Sequence, residues 1–215
     1  MSGAVRAVLF DLLSALLDSW SLWDDIAGSE ERGRRWRFEY LRLTYGTGAY
    51  VPYLDLVEQS AAAVGLPRAL AAELEARWDE LAPWPGAGSA LRRLARKLPI
   101  GVATNCSEVL GVRAAGLVGA PFHSVVTAES AGFYKPDPRI YDAGVKALGV
   151  PAGEVLFVAG SPRDIGGAVA AGLKVVWHNP AGLDGGGAER LAAAVIRDLG
   201  SLAGVVALRG SPGFR

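Results

Sequence analysis

The chain has a single cysteine, Cys106, and only two histidines, His123 and His178, in 215 residues. One thiol excludes an internal disulfide and a multi-cysteine metal site, and it suits a reducing compartment. The histidines are too isolated to argue a metal centre. No apolar run is long enough to span a bilayer and no basic-then-apolar leader opens the chain, so a cytoplasmic protein with no membrane partner is expected. Net charge is missing too, because 22 Lys and Arg balance 22 Asp and Glu. That balance argues against a nucleic-acid partner and favours a small soluble substrate. The length suits one α/β domain, or a core with a small insert, but not two large domains. There is no internal repeat, and only Gly182 to Gly187 is low in complexity. A homodimer is left open as the assembly.

What is present is a series of short apolar runs, each ending in polar groups. Val5 to Phe10 is apolar throughout and ends at Asp11, which reads as a strand buried on both faces in a parallel sheet. Pro99 to Ala103 leads to Thr104 and Asn105, His123 to Thr127 precedes a loop holding Lys135, and Val155 to Ala159 leads to Ser161 and Asp164. Lys174 to Trp177 and Val195 to Leu199 are read as further strands. Helical patterns separate them: Ala90 to Leu98, Glu108 to Leu117, Tyr141 to Leu148 with Pro138 at its first turn, and a stretch ending at Ala171. This alternation predicts a three-layer parallel α/β sheet.

Between Asp18 and Pro83 the pattern is helical only. Trp20, Trp23 and Ile26 share a face, Ser29 starts the next segment, and Arg34 to Leu43 forms a helix that Gly46-Thr47-Gly48 breaks. Leu54 to Val64 and Arg68 to Leu81 are two more. The aromatic residues here, Tyr40, Tyr45, Tyr50 and Tyr53 among them, are read as packing, with some free to wall a pocket from above.

Parallel strands share a direction, so Asp11, Thr104-Asn105, Lys135 and Ser161 to Asp164 fall on one edge of the sheet, where α/β folds bind ligands. Each group alone has a plain reading. Asp11, Thr104 and Asn105 can cap the next segment, and Lys135 can be a solvated surface group. Together they place an ammonium beside a carboxylate that would otherwise be buried without a countercharge.

The order strand-Asp11, strand-Thr104-Asn105, Tyr134-Lys135-Pro136-Asp137 followed by Tyr141, then strand and Asp164, resembles the haloacid dehalogenase-like hydrolases. The resemblance implies a Rossmann-like core of residues 1–17 and 84–215 with an inserted all-helical cap of residues 18–83, and Asp11 as nucleophile. Phosphatases of that superfamily carry Asp-x-Asp at the first strand and Gly-Asp-x-x-x-Asp at the fourth. Here Leu13 stands for the second Asp, which serves as general acid, and Ala159-Gly160 for the Gly-Asp. The branch that needs neither resembles the 2-haloacid dehalogenases, in which halide leaves unprotonated and no metal or other cofactor is required.

By that resemblance Asp11 attacks, Lys135 pairs with it, and Asp164 prepares the hydrolytic water. Thr104 and the backbone near Leu12 and Leu13 would hold a small carboxylate substrate, with Asn105 and a cap arginine on the leaving-group side. Tyr141 and Ser161 would belong to the same group. Trp36-Arg37 resembles the dehalogenase Trp-Arg pair, although Arg34, Arg35 and Arg42 are neighbours. The chain departs from the branch at Leu13-Ser14-Ala15 and at Arg163, which would replace an aromatic wall of the halogen pocket. Other leaving groups (including ring opening), a magnesium-dependent phosphatase and a catalytically silent binding protein remain the alternatives.

Overall fold

The computed structural model describes residues 4–208. Six strands form one parallel sheet in the order β5-β4-β1-β6-β7-β8, comprising β1 (Ala7–Phe10), β4 (Ile100–Thr104), β5 (Ser124–Thr127), β6 (Val155–Ala159), β7 (Lys174–His178) and β8 (Ala194–Ile196). β1 and β6 are buried at every residue, which is why they read as unbroken apolar runs rather than alternating ones. Phe10 pairs with Val102 of β4 on one side and Val158 of β6 on the other, so β1 is central and delivers Asp11 to the middle of the carboxyl edge.

Helices α5 (Ala87–Ala95), α6 (Glu108–Leu117), α7 (Ala128–Ala131), α8 (Pro138–Leu148), α9 (Pro162–Ala170) and α10 (Leu202–Leu208) accompany the sheet. Side-chain caps start the three that lead out of the loops carrying Asn105, Lys135 and Ser161. Ser107 accepts from Leu110 N, Asp137 from Arg139 N, and Ser161 from Arg163 N, leaving each preceding loop fixed to its helix.

The remaining helices, α1 (Ser19–Ile26), α2 (Glu30–Thr47), α3 (Tyr53–Ala63) and α4 (Leu70–Ala76), lie between two short strands, β2 (Leu17–Asp18) and β3 (Ala82–Pro83). These strands pair antiparallel, Leu17 opposite Pro83, and form the stem through which the chain leaves and re-enters the sheet. An aromatic chain runs through the insertion: Trp23 to Trp36 at 4.4 Å, Trp23 to Tyr40 at 5.3 Å, Tyr40 to Tyr53 at 5.4 Å and Tyr53 to Trp78 at 5.8 Å between ring centroids. Such tilted and edge-to-face pairs give this block a core of its own.

Several boundaries differ from the sequence reading. The second helix of the insertion runs on through Gly46 and Thr47 and stops at Gly48, whose φ of 72° only glycine adopts cheaply. The segment expected as one helix to Leu81 ends at Ala76 and tightens into a 3₁₀ turn at Trp78–Glu80. That turn buries the Trp78 indole, whose Nε1 donates to Leu110 O at 2.9 Å. The helix expected to start at Ala90 begins at Ala87, and the last strand is Ala194–Ile196 rather than a run to Leu199. Among the described residues no helix is long and apolar enough to cross a membrane.

Candidate active site

Asp11, Lys135 and Asp164 meet as a buried triad. Lys135 Nζ donates to Asp11 Oδ1 at 2.6 Å and to Asp164 Oδ2 at 2.8 Å, and Lys135 and Asp164 are each only 1% exposed. Burial pushes the ammonium down, but the two carboxylates outweigh it and hold Lys135 above its ordinary range. Asp164 is raised by burial, an effect that Lys135 opposes and the nearby Asp11 charge reinforces. The other Asp11 oxygen, Oδ2, accepts from the backbone N–H groups of Ser14 and Ala15, each at 3.2 Å.

The loop carrying Lys135 is fixed from β4. Lys135 N donates to Asn105 Oδ1 at 2.6 Å, and Asn105 Nδ2 donates back to Lys135 O at 3.1 Å. Asn105 also lines the cavity, its Oδ1 and one of its two Nδ2 hydrogens engaged by the Lys135 backbone. Thr104, fully buried, also lines the cavity, and its hydroxyl has no partner among the described residues.

Helix α2 closes the site from above. Arg37 is 1% exposed, and its Nη2 donates to Ser14 Oγ at 3.1 Å, while Nε and Nη1 have no partner among the described residues. The guanidinium carbon lies 4.7 Å from the Trp20 ring centroid and 5.3 Å from that of Trp23, so aromatic faces rather than a carboxylate receive it. Burial accordingly pushes Arg37 below its ordinary value. Of the four candidate arginines, this is the one that enters the cavity.

Tyr45 is the functional residue that reading the sequence missed. Its hydroxyl donates to Asp164 Oδ1, whereas the sequence reading gives it packing, or at most a wall of the pocket, and no polar contact. The signal was the spacing Arg37, Leu41, Tyr45, which puts all three on one helix face, and all three line the cavity. Tyr141 donates to the Asp164 carbonyl at 3.2 Å, and Ser161 lines the cavity beside them. Leu13 lines the cavity, while the Leu12 side chain is buried in the core and only its backbone is in question. One expectation fails. Arg163 points outward, exposed, 6.0 Å over the Tyr45 ring, so it forms no wall of the pocket and the phenol stands inside it.

The cavity volume is about 20 Å³, on the order of a single water. Gly160, one residue before the lining Ser161, stands at the position where the resemblance puts the phosphatases' acidic metal ligand. A Cβ there would lie 2.2 Å from Ala15 N and 2.4 Å from Ser14 C, so no side chain fits between the two loops. With Asp11 already bound to Lys135, the residues present do not make a magnesium site, and among the described residues no three His, Cys, Asp or Glu side chains cluster as metal ligands elsewhere.

The profile of the haloacid dehalogenase-like hydrolases matches residues 5–172. The chain belongs to that family of hydrolases. Within it, the likeness is to the 2-haloacid dehalogenase branch. An (S)-2-haloacid dehalogenase of Pseudomonas putida is 28% identical over 195 residues, spanning 83% of this chain and 87% of the relative. A haloacetate dehalogenase of a Moraxella strain is 27% identical over 193 residues, spanning 81% and 86%. A solved L-2-haloacid dehalogenase superposes with a TM-score of 0.81 at 26% identity over 95% of this chain and 99% of that one. The Rossmann-like architecture expected of a haloacid dehalogenase-like hydrolase is thus the one observed.

Proposed function

We propose that the protein is a metal-independent hydrolase that displaces halide from a small 2-halocarboxylate through an ester on Asp11, with residues 18–83 serving as the cap over the site. The observation that carries this reading is the juxtaposition of a nucleophile-grade carboxylate with an anion seat. Asp11 and the partly unsatisfied Arg37 line one cavity, with the Thr104 hydroxyl, unpartnered among the described residues, beside them. A buried guanidinium with two vacant donor positions is costly unless an anion completes it, and a halocarboxylate offers first a carboxylate and then a halide.

The geometry divides the chemistry. Asp11 Oδ2 sits on the two N–H groups of Ser14 and Ala15, a placement suited to the carbonyl oxygen of an ester, and so Oδ1 is assigned the attack on the carbon bearing halide. The carbon–halide bond breaks as the carbon–oxygen bond forms, and halide departs with the electron pair. Water then adds to the Asp11 carbonyl carbon, its proton passing to Asp164. The acyl–oxygen bond breaks, and Lys135, 2.6 Å from Oδ1, protonates the departing 2-alkoxide and is recharged from Asp164 at 2.8 Å. The sum is halocarboxylate plus water giving hydroxycarboxylate, halide and one proton. Leu13 holds the place of the phosphatases' general acid, which halide does not need.

Halide release from a panel of short 2-haloacids, with and without a chelator, comparing wild type with Asp11→Asn, tests this. Release that survives chelation and vanishes in Asp11→Asn is expected. No release from any member overturns it.

A further inference from the structure

The Tyr45–Asp164 contact lies outside the chemistry derived so far. Asp164 has two oxygens and a rotatable terminal torsion, a kind of bond with broad preferences. Lys135 holds Oδ2 from the loop before α8, and without a second anchor the carboxylate plane could swing about that bond. Among the described residues its own loop gives the carboxylate no second donor: Ser161 accepts from Arg163 N and its side chain meets the Tyr45 phenol, and Tyr141 engages only the Asp164 backbone. The second anchor comes from the inserted helices, in the Tyr45 hydroxyl on Oδ1. The charged and titratable groups around Asp164 are Asp11 and Lys135 in the triad, Tyr141 on α8, Tyr45 on α2, and Arg163 outside the Tyr45 ring.

We propose that Tyr45 is a positioning residue for ester hydrolysis: its hydroxyl fixes the plane of the Asp164 carboxylate that takes the proton of the attacking water. This rests on the Asp11-ester reading. A carboxylate has about four acceptor positions, so two donors still leave room for water. Burial beside Asp164 keeps the phenol far above its ordinary value, so Tyr45 stays a donor. Tyr45 is two turns from Arg37 on the same face of α2. The docking that brings Arg37 to the substrate therefore also orients the base, and binding and hydrolysis share one helix.

The test follows the ester on Asp11 after acid quenching, by intact-protein mass, with 2-chloropropionate and chloroacetate as probes. In Tyr45→Phe the ester is expected to form at a rate within about twofold of wild type and to hydrolyse about tenfold or more slowly, since misplacing a catalytic group has effects of this order. Ester then accumulates, and kcat and KM fall together. Loss of a donor to the ionised carboxylate moves the acid limb of kcat to higher pH. In an Asp164→Asn background, Tyr45→Phe should have no further effect on the residual hydrolysis. Unchanged hydrolysis in Tyr45→Phe, or the same slowing in both backgrounds, overturns the proposal. Wild type forming no ester from either probe instead overturns the Asp11 reading. Should Tyr45→Phe fail to fold, 3-fluorotyrosine placed at position 45 keeps the shape and strengthens the donor. The acid limb should then move to lower pH, and an unmoved limb overturns the proposal.

Discussion

Asn105 and Lys135 grip each other twice, the Asn105 amide accepting from Lys135 N at 2.6 Å and donating to Lys135 O at 3.1 Å. The Asn105 carbonyl in turn accepts from Tyr40 of the inserted helices at 2.8 Å. The lysine that charges the site is thus held by its backbone as well as by its partners. Asn105→Ala should cost about 1–3 kcal/mol in chemical denaturation, because it leaves a buried N–H and C=O unpaired. Activity should fall by a larger factor than stability alone explains, visible as a lower kcat at temperatures where the variant is fully folded.

Lys135→Met leaves two buried carboxylates without their shared cation. A loss of about 3–5 kcal/mol near neutral pH is expected. The sign with pH follows from Asp164, whose folded value is raised mainly by burial. A group raised in the folded state is more protonated there than in the unfolded chain, so stability is fullest below the unfolded value and falls as pH rises through the folded one. Removing Lys135 raises that folded value further. The gap between variant and wild type should therefore widen on going from mildly acidic to alkaline pH in denaturant titrations, and a gap independent of pH would contradict the buried-charge account.

Arg37→Met separates function from stability. Among the described residues the guanidinium has no carboxylate partner and two unsatisfied nitrogens, so an apolar replacement of similar length relieves a desolvated charge. Melting temperature should stay level or rise, while KM for halocarboxylates rises about tenfold or more, the scale of one lost charged hydrogen bond. A drop in melting temperature with KM unchanged would make Arg37 a structural residue.

Gly160→Asp places a carboxylate where the phosphatase pattern has one, and the close approach predicts what happens. The new Cβ meets Ala15 N at 2.2 Å and Ser14 C at 2.4 Å, both backbone. The variant should lose stability by about 1–3 kcal/mol or more from overpacking and gain no magnesium-dependent phosphatase activity. Magnesium-dependent turnover of a phosphate ester would show that the loops part easily.

The strand ends were legible in the sequence because fully buried parallel strands leave unbroken apolar runs, and the polar residue ending each run is the one the sheet presents. Asp11, Thr104 and Asp164 were found in that way, and Lys135 by the need for a countercharge. What the insertion contributes was not legible in full. Trp36-Arg37 could be picked out only by resemblance. Tyr45 could not, since a phenol on an amphipathic helix looks the same whether it packs on its neighbours or reaches across to the sheet. The direction an inserted helix faces is decided by how Trp23, Tyr40, Tyr53 and Trp78 stack, a tertiary property that helical periodicity does not carry. The pairing of the Asn105 amide with the Lys135 backbone was not legible either, because that partner is 30 residues away.

The four buried charges Asp11, Asp164, Lys135 and Arg37 sum to zero. On the proposed reaction, a monoanionic substrate takes the cavity to minus one. Ester formation only redistributes that charge between the bound carboxylate and halide, and escape of halide restores zero. Hydrolysis then regenerates Asp11 and a hydroxycarboxylate, and loss of the proton returns the cavity to minus one until the product leaves. Each anion that exits brings the enclosure back to electrical neutrality, so turnover is a sequence of single discharges, and retaining two extra anions together is what the buried charges oppose.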